Sequence, residues 1–230
     1  MGIGGLNESP LHDALKRSLA PPGARFEVAL DGYVVDAVCD GLLIEVQTRH
    51  VGALKRKLAH LLGMHRVRLI VPVARERWIV RLGDDGALVS RRRSPRRADL
   101  LDALAALVGI PELLDHPHLE IEAVLTRDEE TRVHRPGAAW RKRGWVTVER
   151  RLLDVLERHP MRGSRAWLAA LPSGLVEPFT TADVALGRAS RRTVAQRAAF
   201  VLREAGVLST SGRVGRSLGY RVTAPDSAAS

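Results

Sequence analysis

Glu27, Asp36 and Glu45 stand inside short apolar stretches, RFEVAL, YVVDAV and LLIEVQ, where a charge is costly unless it does chemistry or meets a partner. Asp31-Gly32 and Asp40-Gly41 separate these stretches and suit two-residue hairpin turns. With Cys39 facing Leu42 across the second turn, Asp36 faces Glu45 and Val34 faces Gln47; with Leu30 facing Tyr33 across the first, Glu27 faces Asp36. Three carboxylates then share one face, about 4.5 to 5.5 Å apart between opposite side chains, where like charges repel. Val35, Ala37, Ile44 and Val46 make the other face apolar. A divalent cation would relieve the repulsion, and hard carboxylate oxygens suit Mg²⁺ or Mn²⁺ better than zinc. His12, His50, His60 and His65 lack compact ligand spacing and read as helix or surface histidines.

The elements that must position these groups follow from periodicity and punctuation. Ser9-Pro10 starts a helix in which Leu11, Leu15 and Leu19 recur every four residues to about Ala20, and Pro21-Pro22-Gly23 stops it. Three strands follow as a meander. Val51, Leu54, Leu58, Leu61 and Leu62 mark a second helix, and VRLIVPV is an apolar run suited to a strand buried on both faces. The predicted order is α-β-β-β-α-β.

This order, Asp36 on the second strand and Glu45-Val46-Gln47 on the third resemble the PD-(D/E)xK nuclease superfamily, the restriction-endonuclease-like fold, over roughly residues 8 to 73. The resemblance implies an α/β fold with a mixed sheet, in which Asp36 and Glu45 bind Mg²⁺ or Mn²⁺. Glu8, near the first helix, and Glu27 join the expected metal set. Gln47 stands where the family usually has the lysine that positions and activates the attacking water. Some relatives move that lysine to the following helix, where Lys55 and Lys57 are available. The implied activity is metal-dependent DNA hydrolysis, in defence or repair. A noncatalytic DNA-binding regulator with a degenerate nuclease-like domain is the alternative.

The remainder of the chain points to a polyanionic partner. Its 36 Lys and Arg exceed its 26 Asp and Glu, for a net charge of +10. Residues 136–230 hold 16 basic and 7 acidic residues, so nearly all the excess lies there. The single cysteine, Cys39, excludes an internal disulfide framework, and the first residues lack a secretory pattern, which predicts a cytoplasmic protein. No uncharged apolar run is long enough to span a bilayer. RWIVRLGDDGALVSRRR reads as a hairpin, ADLLDALAALVGI as a helix and LEIEAVLTRDEETRVHR as a further strand, extending a first domain over 1–135. Residues 136–144 read as a linker and 226–230 as a disordered tail.

Over 145–225, VERRLLDVLERH and SRAWLAAL read as helices. Thr180 to Asp183 has a capping-box pattern for a short helix ending at Leu186-Gly187, and Ser190 is placed to cap a longer helix through Glu204. VLSTSGRVGRSLGYRV then reads as a hairpin. The stretch from Phe179 to Val222 resembles a winged helix-turn-helix, which implies duplex or branched DNA as the partner. Arg191, Arg192, Gln196 and Arg197 would lie on a recognition helix, with Arg213 and Arg216 on the wing. The pattern leaves a homodimer open.

Overall fold

The computed structural model describes residues 9–48, 51–138 and 144–224. Glu8, His50, most of the expected linker and the expected tail lie outside them. The molecule is α/β, built on a mixed seven-stranded sheet of order β1-β2-β3-β4-β6-β7, with β5 paired to β4. The strands are β1 (Arg25–Leu30), β2 (Tyr33–Cys39), β3 (Leu42–Val46), β4 (Arg66–Leu82), β5 (Leu88–Arg93), β6 (Leu119–His134) and β7 (Trp145–Met161). β3 runs parallel to β4 and β4 parallel to β6; the remaining pairings are antiparallel.

The first helix, α1 (Pro10–Leu19), begins where Ser9 accepts the His12 backbone N–H. Leu11, Leu15 and Leu19 pack with Ala37, Ile44, Val46, Ile70 and Val124 on one face of the sheet. On the other face, α2 (Lys55–Leu62) and α3 (Leu100–Ala106) bury Leu58, Leu61, Leu62, Leu101 and Leu104 against Leu43, Val67, Leu69 and Val71. Helices therefore cover both faces, which lets the central parallel strands be apolar throughout.

Both Asp-Gly turns form as expected. Asp31 and Asp40 have φ of 51° and 48°, and their following glycines 80° and 75°, the left-handed pair that a type I′ hairpin requires. The registers match too: Leu30 faces Tyr33 and Cys39 faces Leu42.

The larger departure is at residues 145–161. The expected helix VERRLLDVLERH is part of β7, which pairs with β6 along nearly its whole length. Its arginines answer carboxylates on β6: Arg158 bonds Glu122 at 2.5 Å, Arg150 bonds Glu130 at 3.2 Å, and Arg151 pairs with Glu129. Cross-strand pairing of this kind overrides an ambiguous local spacing. The expected linker consequently falls between two paired strands, and the segment starting at 145 opens inside the main sheet. SRAWLAAL is a 3₁₀ helix, Ser164–Ala170, rather than an α-helix.

Next come α4 (Thr181–Val184), α5 (Arg192–Glu204) and a separate hairpin, β8 (Leu208–Val214) with β9 (Ser217–Val222). Thr180 and Asp183 make the expected capping box. Ser190 does not cap α5; a 3₁₀ turn over Ala189–Arg191 leads into it, and Arg191 holds the cap position without a side-chain cap bond. Ala195, Ala198, Ala199, Val201 and Leu202 of α5 join the same buried cluster as Leu101, Leu104 and Leu107.

Candidate functional site

The site forms where β3 parts from β2. The last paired residues of that hairpin are Ala37 and Ile44, after which Glu45 and Val46 pair only with Leu69 and Ile70 of β4. One step further along the register sets Asp36 opposite Glu45. Asp36 fills the gap with its side chain, Oδ2 accepting the Val46 backbone N–H at 2.7 Å. The acids come close enough that the charge on Asp36 raises the pKa of Glu45.

Two helices reach the site from opposite faces of the sheet. From α2, Lys57 Nζ lies 2.5 Å from Glu45 Oε1 and donates to the Val34 carbonyl at 2.6 Å. The contact with Oε1 is an ion pair without good hydrogen-bond alignment. From α1, His12 Nε2 lies 2.8 Å from the Val46 carbonyl oxygen and 3.2 Å from Asp36 Oδ2. A carbonyl can only accept, so Nε2 carries the hydrogen and is shared between two oxygens.

The two carboxyls sit in opposite electrostatic regimes. Burial alone would raise Asp36, but the hydrogen bonds from His12 and the Val46 N–H outweigh it and hold the carboxyl below its usual range. Glu45 is 2% exposed. Burial, and then the charge on Asp36, push it up to about 7, against the opposing pull of Lys57 and the Asp36 backbone N–H.

The expected site residues fare unequally. Asp36, Glu45 and Lys57 come together. Lys55 is directed elsewhere, pairing with Glu112 at 2.5 Å, so of the two lysines only Lys57 serves the site. The neighbours of Glu27 keep the expected register, Phe26 facing Ala37 and Val28 facing Val35, but Glu27 itself adopts φ 53° and pairs with Lys16, which is 2% exposed. A buried ammonium needs a carboxylate, and this one draws Glu27 toward α1 and away from the acid pair. The Gln47 backbone N–H bonds the Ile70 carbonyl, which continues the β3–β4 pairing past the end of β3.

His12 is a helix histidine, as read from the sequence, and it also reaches the site, a contact that reading did not include. Its sequence signal is modest: it lies four residues before Lys16, beside the Leu11, Leu15 and Leu19 stripe, so one helix edge carries two basic groups toward the sheet.

Among the described residues, no three His, Cys, Asp or Glu side chains are grouped to hold a metal ion. Asp36 Oδ2 and the Val46 carbonyl meet at the His12 N–H, with the Glu45 carboxylate beside Asp36. Two carboxylates and a main-chain oxygen suit Mg²⁺, which keeps several waters and completes its shell with substrate phosphate.

The expected DNA-contacting residues also divide. Arg191 is spent inside the protein: its guanidinium meets Asp99 Oδ1 at 2.6 Å and Asp102 Oδ2 at 3.2 Å, the two residues of the α3 capping box. Arg192, Gln196 and Arg197 are exposed along α5, and Arg213 and Arg216 are exposed on the β8–β9 hairpin. No helix among the described residues is long and apolar enough to cross a membrane.

Residues 9–162 match the family described as a domain of unknown function, DUF8091. The match ends one residue after β7, so it takes in the whole main sheet. An uncharacterized protein of Treponema pallidum (strain Nichols) is 33% identical over 227 residues, covering 98% of this chain and 89% of the relative. No solved structure matches.

Proposed function

The chain belongs to the DUF8091 family, and for this member we propose a metal-dependent DNA endonuclease of the PD-(D/E)xK kind, held on its substrate by a C-terminal winged helix-turn-helix. The observation that carries the reading is the Lys57 ammonium at Glu45, beside Asp36. It supplies from α2 the cation that the sequence lacks at Gln47. The order of elements from α1 to β4 and the α4–α5–β8–β9 succession support the two fold resemblances.

Asp36, Glu45 and the Val46 carbonyl would hold Mg²⁺ or Mn²⁺, which when bound polarises a scissile phosphate and lowers the pKa of a coordinated water. The chain's own residues do the rest. Asp36, kept ionised by His12 and the Val46 N–H, is a fixed anion at neutral pH. Lys57, anchored on the Val34 carbonyl, brings a positive charge beside the carboxylates, where charge builds up on a phosphate under attack. His12 orients Asp36 and the Val46 carbonyl through one shared N–H.

Gln47 favours a second reading, a noncatalytic DNA-binding regulator, because a neutral amide supplies no cationic field. The two readings separate in a cleavage assay on duplex, branched and single-stranded DNA with Mg²⁺ or Mn²⁺. Nuclease function predicts cleavage that Asp36→Ala abolishes and Lys57→Met lowers by about 10²-fold or more, both variants keeping DNA affinity. Binding without cleavage on every substrate supports the regulator.

A further inference from the structure

The arginines of this protein fall into two electrostatic classes. Several on the strands of the main sheet are matched by carboxylates of the same sheet: Arg91 with Glu129 at 2.9 Å, Arg127 with Glu76 at 2.8 Å, Arg132 with Glu130 at 2.7 Å. Their charge is largely spent within the fold. Arg97, Arg188, Arg192 and Arg197 are exposed and form no ion pair with any described residue.

Two of these, Arg97 and Arg188, line a groove of about 520 Å³ between the segment preceding α3 and the turn that leads into α5. Pro95, Arg96 and Arg97 form one wall; Arg188, Ser190 and Arg191 form the other. Arg191 ties the walls together through its two ion pairs with the α3 capping box. Asp102 also lines the groove, its charge answered by Arg191 and, at 3.4 Å, by Arg96.

We infer that this groove takes the sugar–phosphate backbone of the duplex that α5 approaches, with Arg97 and Arg188 contacting phosphate from its two sides. The inference rests on the DNA-binding reading above. It adds that the sheet-bearing part of the chain, through Arg97, holds DNA together with the helical part. A guanidinium fork matches phosphate oxygens, and contacts of this kind fix the register of a protein on its duplex. Arg192 and Arg197, exposed on α5, add two further cations beyond the groove. Several cations spread over a surface match a repeating polyanion better than a single small anion.

The test uses the full chain and a short fluorescein-labelled duplex, with EDTA present to prevent cleavage, in fluorescence anisotropy at several KCl concentrations. The Arg97→Gln/Arg188→Gln double variant should bind at least about tenfold more weakly at low salt, and its slope of log affinity against log salt should flatten by about 2. Its melting temperature should stay close to that of the wild type, because neither side chain forms an ion pair with a described residue and the pull of Arg97 on Glu76 is the weakest of three, Arg127 and Arg93 being paired to that carboxylate directly. The Arg97→Lys/Arg188→Lys chain, which keeps both charges, should retain most of the slope. Unchanged affinity and slope in the glutamine variant, alongside weakened binding by Arg192→Ala or Arg197→Ala, would overturn the groove while leaving the DNA reading intact. A wild type that binds no duplex overturns both. Saturable calorimetric binding of inorganic pyrophosphate that the glutamine variant loses, with duplex binding unaffected, overturns the duplex assignment in favour of a small anion.

Discussion

Glu45 is ionised at a cost that folding must meet, since its carboxyl is packed away from water beside a second carboxylate. Its pKa rises from 4.5 to about 7, and at 1.36 kcal/mol per unit that is a penalty of about 3 kcal/mol once the group is ionised in both states. A carboxyl raised on folding holds its proton longer in the native state. The penalty is therefore absent below about 4.5, grows as pH rises toward 7 and is constant above. Glu45→Gln should accordingly withstand more urea than the wild type at about pH 8, and the two should converge near pH 4. A pH-independent difference would mean that Lys57 neutralises Glu45 completely. Asp36 has the opposite sign, its lowered pKa adding stability that is lost as pH falls below its usual value of 3.8. The acid pair was legible in the sequence because turns of fixed length set the register, whereas Lys57 was offered, alongside Lys55, only by the family resemblance. His12 and the Lys16–Glu27 pair were not legible, because they depend on how α1 lies across the sheet.

At the scale of elements, one arginine adds two ion pairs to the apolar junction of α5 with α3. Arg191 has a side chain 17% exposed and faces two carboxylates, Asp102 at 10% exposure among them. Arg191→Ala leaves Asp102 with the Asp99 backbone N–H and, as its one remaining cation, the longer Arg96 contact, and should lower unfolding free energy by about 1 to 3 kcal/mol. Arg192→Ala, one residue on, should stay within about 0.5 kcal/mol of the wild type in the same urea titration, because its side chain is exposed and unpaired. Arg191→Lys should recover part of the loss, since an ammonium can meet one carboxylate well but cannot fork to two. If Arg191→Ala instead leaves stability unchanged and lowers DNA affinity, the residue belongs with the recognition surface that its sequence position suggests. The capping box around Thr180 and the β8–β9 hairpin were readable because they are local. β7 was not: the spacing of Val148, Leu152 and Val155 suits a helix, and only the carboxylates of β6, distant in sequence, favour a strand.

For the whole molecule, the question is whether the C-terminal third folds alone. A chain divided at a linker over 136–144 would yield two independent units, and residues 145–225 by themselves should then be folded. The structure gives the reasons for the opposite outcome. β7 would lose β6, the strand that pairs with it and supplies the partners of Arg150, Arg151 and Arg158. α5 would lose the α3 side of its buried cluster, including Leu101, Leu104 and Leu107, along with both carboxylates that hold Arg191. Each large apolar side chain returned to water costs about 1.5 to 3 kcal/mol, and a domain's whole margin is only about 5 to 15. Residues 145–225 expressed alone should thus show no cooperative urea transition by circular dichroism. The full chain should unfold in a single transition that coincides by circular dichroism and tryptophan fluorescence. Starting the fragment at residue 163, just past the sheet, removes the stranded β7 but not the exposed face of α5, so it too should melt without a cooperative midpoint unless α3 is supplied. Two separated transitions in the full chain, the later one reproduced by either fragment, would restore the independent C-terminal unit and make the α3–α5 contact a docking surface between domains.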